Sequence, residues 1–241
     1  MRLYRDLAPW FHLLTAPADY AVEADRYRAL ALAACPDART LLELGSGGGN
    51  NASHLARHFA CTLTDLSPDM LETSRALNPG SEHLPGDMRT LRLGRTFDVV
   101  LVHDAVMYLT TEADLLLCAE TAAAHLRPGG VALFVPDCTL EGYRPGVSLG
   151  GHDGADGRSL RYLEWSHAPG GATSAEVDFA IVLRHPDGRT EVVHDRHTFG
   201  LFPEATWVRT LARAGLEVTV HPQDADHEVA PQPVFVGVRR A

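Results

Sequence analysis

The run Glu43-Leu44-Gly45-Ser46-Gly47-Gly48-Gly49 follows an apolar strand pattern and precedes a helical one. Bare backbone in such a turn approaches a ligand closely, and the N–H groups that open the helix point at it. Asp65 stands 20 residues after Gly45, at the end of the next strand pattern. A carboxylate there accepts hydrogen bonds from a ribose diol. NAD and S-adenosylmethionine both carry that diol, so Asp65 does not choose between them. Asn50 occupies the position where a dinucleotide fingerprint has its third glycine. Glu43, two residues before Gly45, is a carboxylate where a dehydrogenase strand is apolar. So close to a ligand it suits the ammonium and sulfonium of S-adenosylmethionine and repels a pyrophosphate. In Gly86-Asp87-Met88, Asp87 can accept from an adenine exocyclic amine, and Met88 or Met70 can pack on the ring.

His103 and Asp104 follow the apolar run Phe97–Val102. A histidine there can take a proton near neutral pH, with Asp104 as a second candidate base. The alternatives are cofactor positioning for His103 and a helix cap for Asp104. Trp10, in the segment Trp10-Phe11-His12, can shield a methyl group from water or simply dock the terminus. His194 and His197 are three apart in a strand pattern and so point to opposite faces; solvation or substrate contact is the expectation. A buried pairing of His197 with Asp195 would need a shift. His152-Asp153 lies in a glycine-rich loop that either closes over a substrate or is a surface turn. The 13 histidines show no metal-ligand spacing, and no metal is expected.

These residues need a frame. Apolar strand patterns at Thr40–Leu44, Cys61–Thr64, Phe97–Val102 and Val131–Val135 alternate with helical ones that start near Asp19, at Ala52–Phe59, after Ser67 and after Thr111. Ser67 caps a first turn containing Pro68 and Asp69, and Thr111 with Asp114 resembles a capping box. Arg127-Pro128-Gly129-Gly130 ends the last of these helices. Alternation predicts a doubly wound parallel sheet with ligands beyond the strands' carboxyl ends. From Thr139 to Gly200 the pattern changes to antiparallel strands at Ser159–Trp165, Ala175–Arg184 and Glu191–Phe199, with turns at Gly170-Gly171 and Asp187-Gly188. A helix over Pro203–Ala214 and strands at Leu216–Val220 and Val234–Val238 complete the reading. The organisation expected is residues 1–138 with 201–241 as the binding domain, and 139–200 as an inserted lid over the acceptor site.

Composition narrows the classes further. The 241 residues carry a net charge of −10, which disfavours nucleic acid. All 21 basic residues are arginine, which excludes Schiff-base, P-loop and kinase-lysine chemistry. No apolar run is long enough for a membrane helix, and the amino terminus lacks a signal-peptide core. The four cysteines are unpaired in spacing and read as free thiols of a cytoplasmic protein.

Taken together, Leu42–Gly49, Thr64–Leu71, Gly86–Met88, Phe97–Val100 and Leu126–Gly130 resemble, in order, the motifs of the class I S-adenosylmethionine-dependent methyltransferases. The resemblance implies a seven-stranded, mostly parallel sheet with an antiparallel last strand. It implies cofactor contacts at Glu43, Gly45, Ser46, Gly47, Asp65, Leu66, Met70, Asp87, Met88 and His103, with Trp10 as a lid. Asp19-Tyr20-Ala21 with Glu23-Ala24 in the entry helix, Gly86-Asp87-Met88-Arg89 with Leu93-Gly94-Arg95, and the inserted sheet are similar to the N-methyltransferases of nucleotide-linked amino sugars; His103-Asp104 departs from them. The expected activity is methyl transfer to N or O of a small-molecule acceptor, of natural-product or sugar type. A non-catalytic S-adenosylmethionine or S-adenosylhomocysteine binder, or an NAD-dependent oxidoreductase, is the alternative. A homodimer through the inserted sheet is left open.

Overall fold

Four apolar segments read as buried strands, and in the computed structural model, which describes residues 1–169, 173–222 and 233–240, they lie inside a single sheet that a fifth, more exposed strand closes at one edge. The strands are β1 (Thr40–Leu44), β2 (Ala60–Asp65), β3 (Glu82–Pro85), β4 (Phe97–His103) and β5 (Leu126–Val135). Alternating with them are α1 (Phe11–Leu14), α2 (Ala21–Ala34), α3 (Asn50–Leu55), α4 (Pro68–Leu77) and α5 (Glu112–His125). An antiparallel group follows: β6 (Gly146–Gly150), β7 (Ser159–Ser166), β8 (Ser174–Arg184) and β9 (Thr190–Gly200). The chain then returns through α6 (Glu204–Arg213), β10 (Leu216–His221) and β11 (Val234–Arg239).

The main sheet has the order β10-β11-β5-β4-β1-β2-β3, parallel except for the pairings of β11 with β10 and with β5. Its inner strands are apolar on both sides because both faces are covered. One face packs Leu42, Val100, Ala132 and Phe134 against Leu115, Ala119, Trp207 and Leu211 of α5 and α6. The other packs Leu41, Leu63, Leu101 and Leu133 against Ala24, Tyr27, Ala31 and Leu55 of α2 and α3. The second sheet, in order β6-β7-β8-β9, places Leu160, Val177, Phe179, Ile181, Leu183 and Val193 against Leu3, Leu7 and Trp10 of the amino-terminal segment.

Several boundaries differ from the sequence reading. The entry helix opens with a 3₁₀ turn at Pro17–Tyr20 before α2. Helix α3 is shorter than the apolar pattern and begins two residues earlier. Strand β5 begins at Leu126, with a register shift that absorbs Pro128-Gly129-Gly130. Strand β6 has exposed side chains and a glycine at each end, so no alternation marked it. The turn assigned to Gly170-Gly171 lies outside the described residues. Ser67 and Thr111 do cap α4 and α5, accepting from Met70 and Asp114 N–H groups.

Asp98 sets the register of three strands at their amino ends. Its carboxylate accepts from the Arg39 N–H (2.8 Å), the Thr40 N–H and hydroxyl (2.8 Å each) and Arg127 Nε (2.5 Å). Burial alone would raise this carboxyl, but Arg127 and the backbone donors hold it well below the usual carboxylate range. A depressed native pKa stabilises the fold above about pH 4 and loses that contribution as pH falls. Asp98→Ala strands these donors and is expected to cost ~3 kcal/mol. Urea unfolding at pH 7 measures it, and a loss below ~1 kcal/mol would remove Asp98 from the clamp.

Candidate active site

The carboxyl ends of β1, β2, β4 and β5 open on a cavity of about 980 Å³, roofed by the amino-terminal segment and one face of the second sheet. Parallel pairing of β1 with β2 and β4, and of β4 with β5, brings Glu43, Asp65, His103 and Asp137 to the cavity although they are far apart in the chain.

The glycine loop is held by backbone contacts. Gly45 and Ser46 N–H groups donate to the Thr64 carbonyl (2.8 and 2.9 Å), and Gly47 N–H donates to Asp65 Oδ2 (2.9 Å). The other Asp65 oxygen accepts from Ser67 N–H (2.8 Å). Gly45 has φ +75°, and a Cβ there would lie 2.5 Å from the Ala105 methyl and 2.9 Å from Met88 Cε. Only glycine keeps this end of the cavity open.

Beneath the loop sit four buried polar atoms without a hydrogen-bond partner: Glu43 Oε2, Ser46 Oγ, Asn50 Oδ1 and Asn51 Oδ1. All four residues line the cavity. Orphaned acceptors at a cavity wall require a donor from a ligand. Burial, then the neighbouring Asp65 and Glu23, push the Glu43 carboxyl up to about 8. The set is mostly acceptors with one carboxylate, which fits a cation carrying N–H donors, as the aminoacyl end of S-adenosylmethionine does.

Other expected contacts fall out differently. Met88 lines the cavity beside Gly45, and Leu66 stands exposed at its rim. Asp87 lines it too, but both its oxygens are engaged by Arg89, at 2.7 Å to Nη2 and 3.0 Å to Nε. Met70, in the first turn of α4, is fully buried under Gly47 rather than on the cavity wall, so it supports the loop. Trp10 is corrected as well. Its indole is held in the second sheet's core by His185 and by Arg158, whose guanidinium lies 4.9 Å over the ring. The adjacent Phe11 lines the cavity instead and packs on Gly48, while His12 Nε2 is 3.0 Å from the Gly48 carbonyl.

Deeper in, His103 is buried between the rings of Tyr20 and Tyr27, and burial lowers its pKa despite Glu23 and Asp137 nearby. Its Nε2 lies 3.1 Å from Asp104 Oδ1 and 3.3 Å from Glu23 Oε1. Asp104 faces the cavity; enclosure by protein, with Glu23 adding to it, pushes its carboxyl up to about 7. Asp137, hydrogen-bonded to Asp104, is raised well above the carboxylate range by burial and by that neighbour. Glu164 of β7 also lines this wall. Sequence reasoning missed Glu23, Asp137 and Glu164. Asp137 alone carried a signal, since it follows a strand as Asp65 and His103 do. His152 contacts Asp19 (3.2 Å) and is not in the cavity; His194 is exposed and contacts Asp178 (2.9 Å). His197 is buried beside Asp195 without any shift, since residues i and i+2 share a face.

A switch-point cavity with a glycine loop at the carboxyl ends of parallel strands is the ligand site of a Rossmann-like doubly wound fold. The profile of the methyltransferase domain family matches residues 41–130. A dTDP-3-amino-3,4,6-trideoxy-alpha-D-glucopyranose N,N-dimethyltransferase of Streptomyces venezuelae is 34% identical over 202 residues, covering 83% of this chain and 84% of that one. The crystal structure of Streptomyces venezuelae DesVI superposes with a TM-score of 0.84 at 29% identity, covering 97% of each chain. S-adenosylmethionine-bound CalS10, an amino pentose methyltransferase from Micromonospora echinaspora, gives 0.75 at 27% identity, covering 91% of each. The chain belongs to the class I S-adenosylmethionine-dependent methyltransferases and resembles the N-methyltransferases of nucleotide-linked amino sugars. It is an enzyme whose cofactor is S-adenosyl-L-methionine. Among the described residues, no helix is long and apolar enough to cross a membrane.

Glu43 must ionise to hold an ammonium group, so binding releases a proton below about pH 8 and weakens as pH falls. Calorimetry of S-adenosylhomocysteine in two buffers of different ionisation enthalpy should show that release. Glu43→Gln should abolish it and weaken binding about 30-fold, the equivalent of about 2 kcal/mol for a charge-assisted hydrogen bond. Equal proton release by the variant would move the ammonium elsewhere.

Proposed function

We propose that the acceptor is the amino group of a sugar-type small molecule, carried on a nucleotide, and that the product is its N-methyl derivative. The observation that carries this reading is a group of carboxyls at the cavity: Asp104, Asp137 and Glu164 line it, and Glu23 stands behind the wall with Oε1 3.3 Å from His103 Nε2. Carboxyl groups so placed attract an ammonium and can take its proton. An amine that arrives as ammonium must lose a proton before its lone pair can attack, and these carboxyl groups attract the cation as well as offering a place for the proton, whereas a carboxylate acceptor would be repelled from this wall. The amino-sugar substrates of the N,N-dimethyltransferase relatives support the same class. Arg5, exposed at the rim, offers a cation to a phosphate.

When bound, S-adenosylmethionine supplies a methyl group already activated on sulfonium. What the chain adds is orientation, exclusion of water and a place for the proton. Asp104 is the proton acceptor in this reading, and Asp137 and His103 set its affinity. Residues 139–200 act as the acceptor-side lid, since Tyr162, Glu164, Phe179 and Phe199 face the cavity. The outer face of that sheet exposes Val147, Leu149, Trp165, Val182 and Val192, which supports a homodimer. Four unpaired cysteines support a cytoplasmic setting.

The direct test is methyl incorporation, followed by mass spectrometry, into dTDP-linked 3-amino and 4-amino deoxysugars and their hydroxyl counterparts. Methylation of the amines alone is expected; methylation of the hydroxyl sugars alone would overturn the reading. With the amine acceptor, kcat should rise with pH through about 7 as the Asp104–Asp137 pair gives up its proton. Asp104→Asn should lower kcat about 100-fold, the range of a general base, with S-adenosylhomocysteine affinity unchanged. A kcat within threefold of wild type would exclude Asp104 as the base.

A further inference from the structure

A hydrogen-bonded chain runs from the second sheet to the cavity wall and takes no part in the chemistry described so far. Asp195 Oδ2 is 3.1 Å from His197 Nε2, His197 Nδ1 is 2.8 Å from the Tyr108 hydroxyl, and that hydroxyl is 2.6 Å from the hydroxyl of Tyr4. Asp195 Oδ2 also accepts from Leu3 N–H at 2.8 Å. Tyr4 and Tyr108 both line the cavity. His197 is 1% exposed and enclosed by the rings of Phe179, Phe199, Tyr4 and Tyr108.

Each bond in the chain has a direction. A carboxylate only accepts, so His197 Nε2 must carry the proton it shares with Asp195. Burial keeps the imidazole neutral, its pKa lowered despite Asp195. Nδ1 is then a bare acceptor, and the Tyr108 hydroxyl must donate to it. The Tyr108 oxygen in turn accepts from Tyr4. Every hydroxyl proton is thereby used inside the chain. What Tyr4 and Tyr108 have left to offer the cavity is oxygen lone pairs.

We propose that the Asp195–His197 pair is a positioning device that turns the Tyr108 and Tyr4 hydroxyls into acceptors facing the acceptor substrate, selecting N–H donors and aiming the nitrogen lone pair away from this wall. This rests on the amine reading above and adds residues to it. A nitrogen that gives its N–H groups to two phenol oxygens has its remaining lone pair free for the methyl. A group with nothing to donate finds no partner here.

The test separates the two readings. Long-range ¹H–¹⁵N NMR of the full chain with S-adenosylhomocysteine at pH 7.5 reports the His197 tautomer without any acceptor. The neutral form protonated on Nε2 is expected. The Nδ1-protonated form or a charged ring would overturn the proposal whatever the substrate. His197→Phe frees the Tyr108 hydroxyl to donate, and His197→Gln can keep the order of donor and acceptor. With the amine that wild type methylates, His197→Phe and Tyr108→Phe should raise KM about tenfold or more, and His197→Gln should restore most of it. S-adenosylhomocysteine affinity should stay within twofold in all three. Equal KM for His197→Phe and His197→Gln would reduce the pair to packing, and Tyr108→Phe decides the point if His197→Phe fails to fold. If wild type methylates no amine while the tautomer is as expected, the amine reading fails and the polarity of the wall stands.

Discussion

Glu43, Asp104 and Asp137 line one cavity, Glu23 packs behind its wall against His103, and the four cannot all be ionised together. Like charges at such range raise one another's pKa, and burial raises them further. The directions seen here agree: all four carboxyl groups are held above their ordinary values. A cavity of this kind has two ways to relax. It can keep protons, or it can exchange them for bound cations. The proposed reaction would use both, the methyl donor bringing positive charge past Glu43 and an amine acceptor bringing it past Asp104. The fold's task is to hold these groups together against their repulsion, and the strand order does so. β4 lies beside both β1 and β5, so Glu43, His103 and Asp137 arrive at one place from three neighbouring strand ends.

The rest of the cavity is built by segments that are tied to one another rather than to the main sheet. Ser67 Oγ donates to the Tyr4 carbonyl (2.5 Å), His152 N–H to the Leu13 carbonyl (2.8 Å), and Leu3 N–H to Asp195. The amino-terminal segment thus bridges the cofactor side to the inserted sheet. Trp10 anchors that bridge from behind by packing into the sheet's core, which is why its neighbour Phe11, and not Trp10 itself, meets the glycine loop.

The cofactor half was legible in the sequence because its parts are local. A strand, a run of glycines and the first residues of a helix specify a turn, and Asp65 follows at the end of the next strand. The seven-stranded sheet and its reversed last strand came from the resemblance carried by those same motifs. The acceptor half was legible only where a residue stood at a strand end, as His103 and Asp104 did. Glu23 and Glu164 come from a helix and an inserted strand whose facing depends on tertiary packing, so no spacing marks them. Met70 was placed one layer too high for the same reason: its position in the sequence fixes its nearness to the loop but not which side of the loop it takes. The Asp195–His197 pair was set aside on strand geometry that in fact favours it.

The two halves also differ in what can change without loss of the other. Backbone atoms make most of the glycine loop's contacts, so side-chain variation there is restricted mainly by space, as Gly45 against Ala105 illustrates. In the proposed reading, acceptor recognition rests on side chains drawn from α2, the loop after β4, the end of β5 and the second sheet. Glu23 joins the two halves, since its Oε1 accepts from Asn51 Nδ2 of the cradle at 3.0 Å. The cavity is therefore polarised along its length, with carboxyl groups inside and Arg5 at the rim. An amino sugar bearing a nucleotide has the matching polarity, a cation at one end and phosphate at the other. Complementarity of this kind orients a substrate before any specific contact forms, since the reversed pose would put phosphate among carboxylates. On the proposed reading the same logic disfavours an anionic acceptor, which an acidic interior would repel.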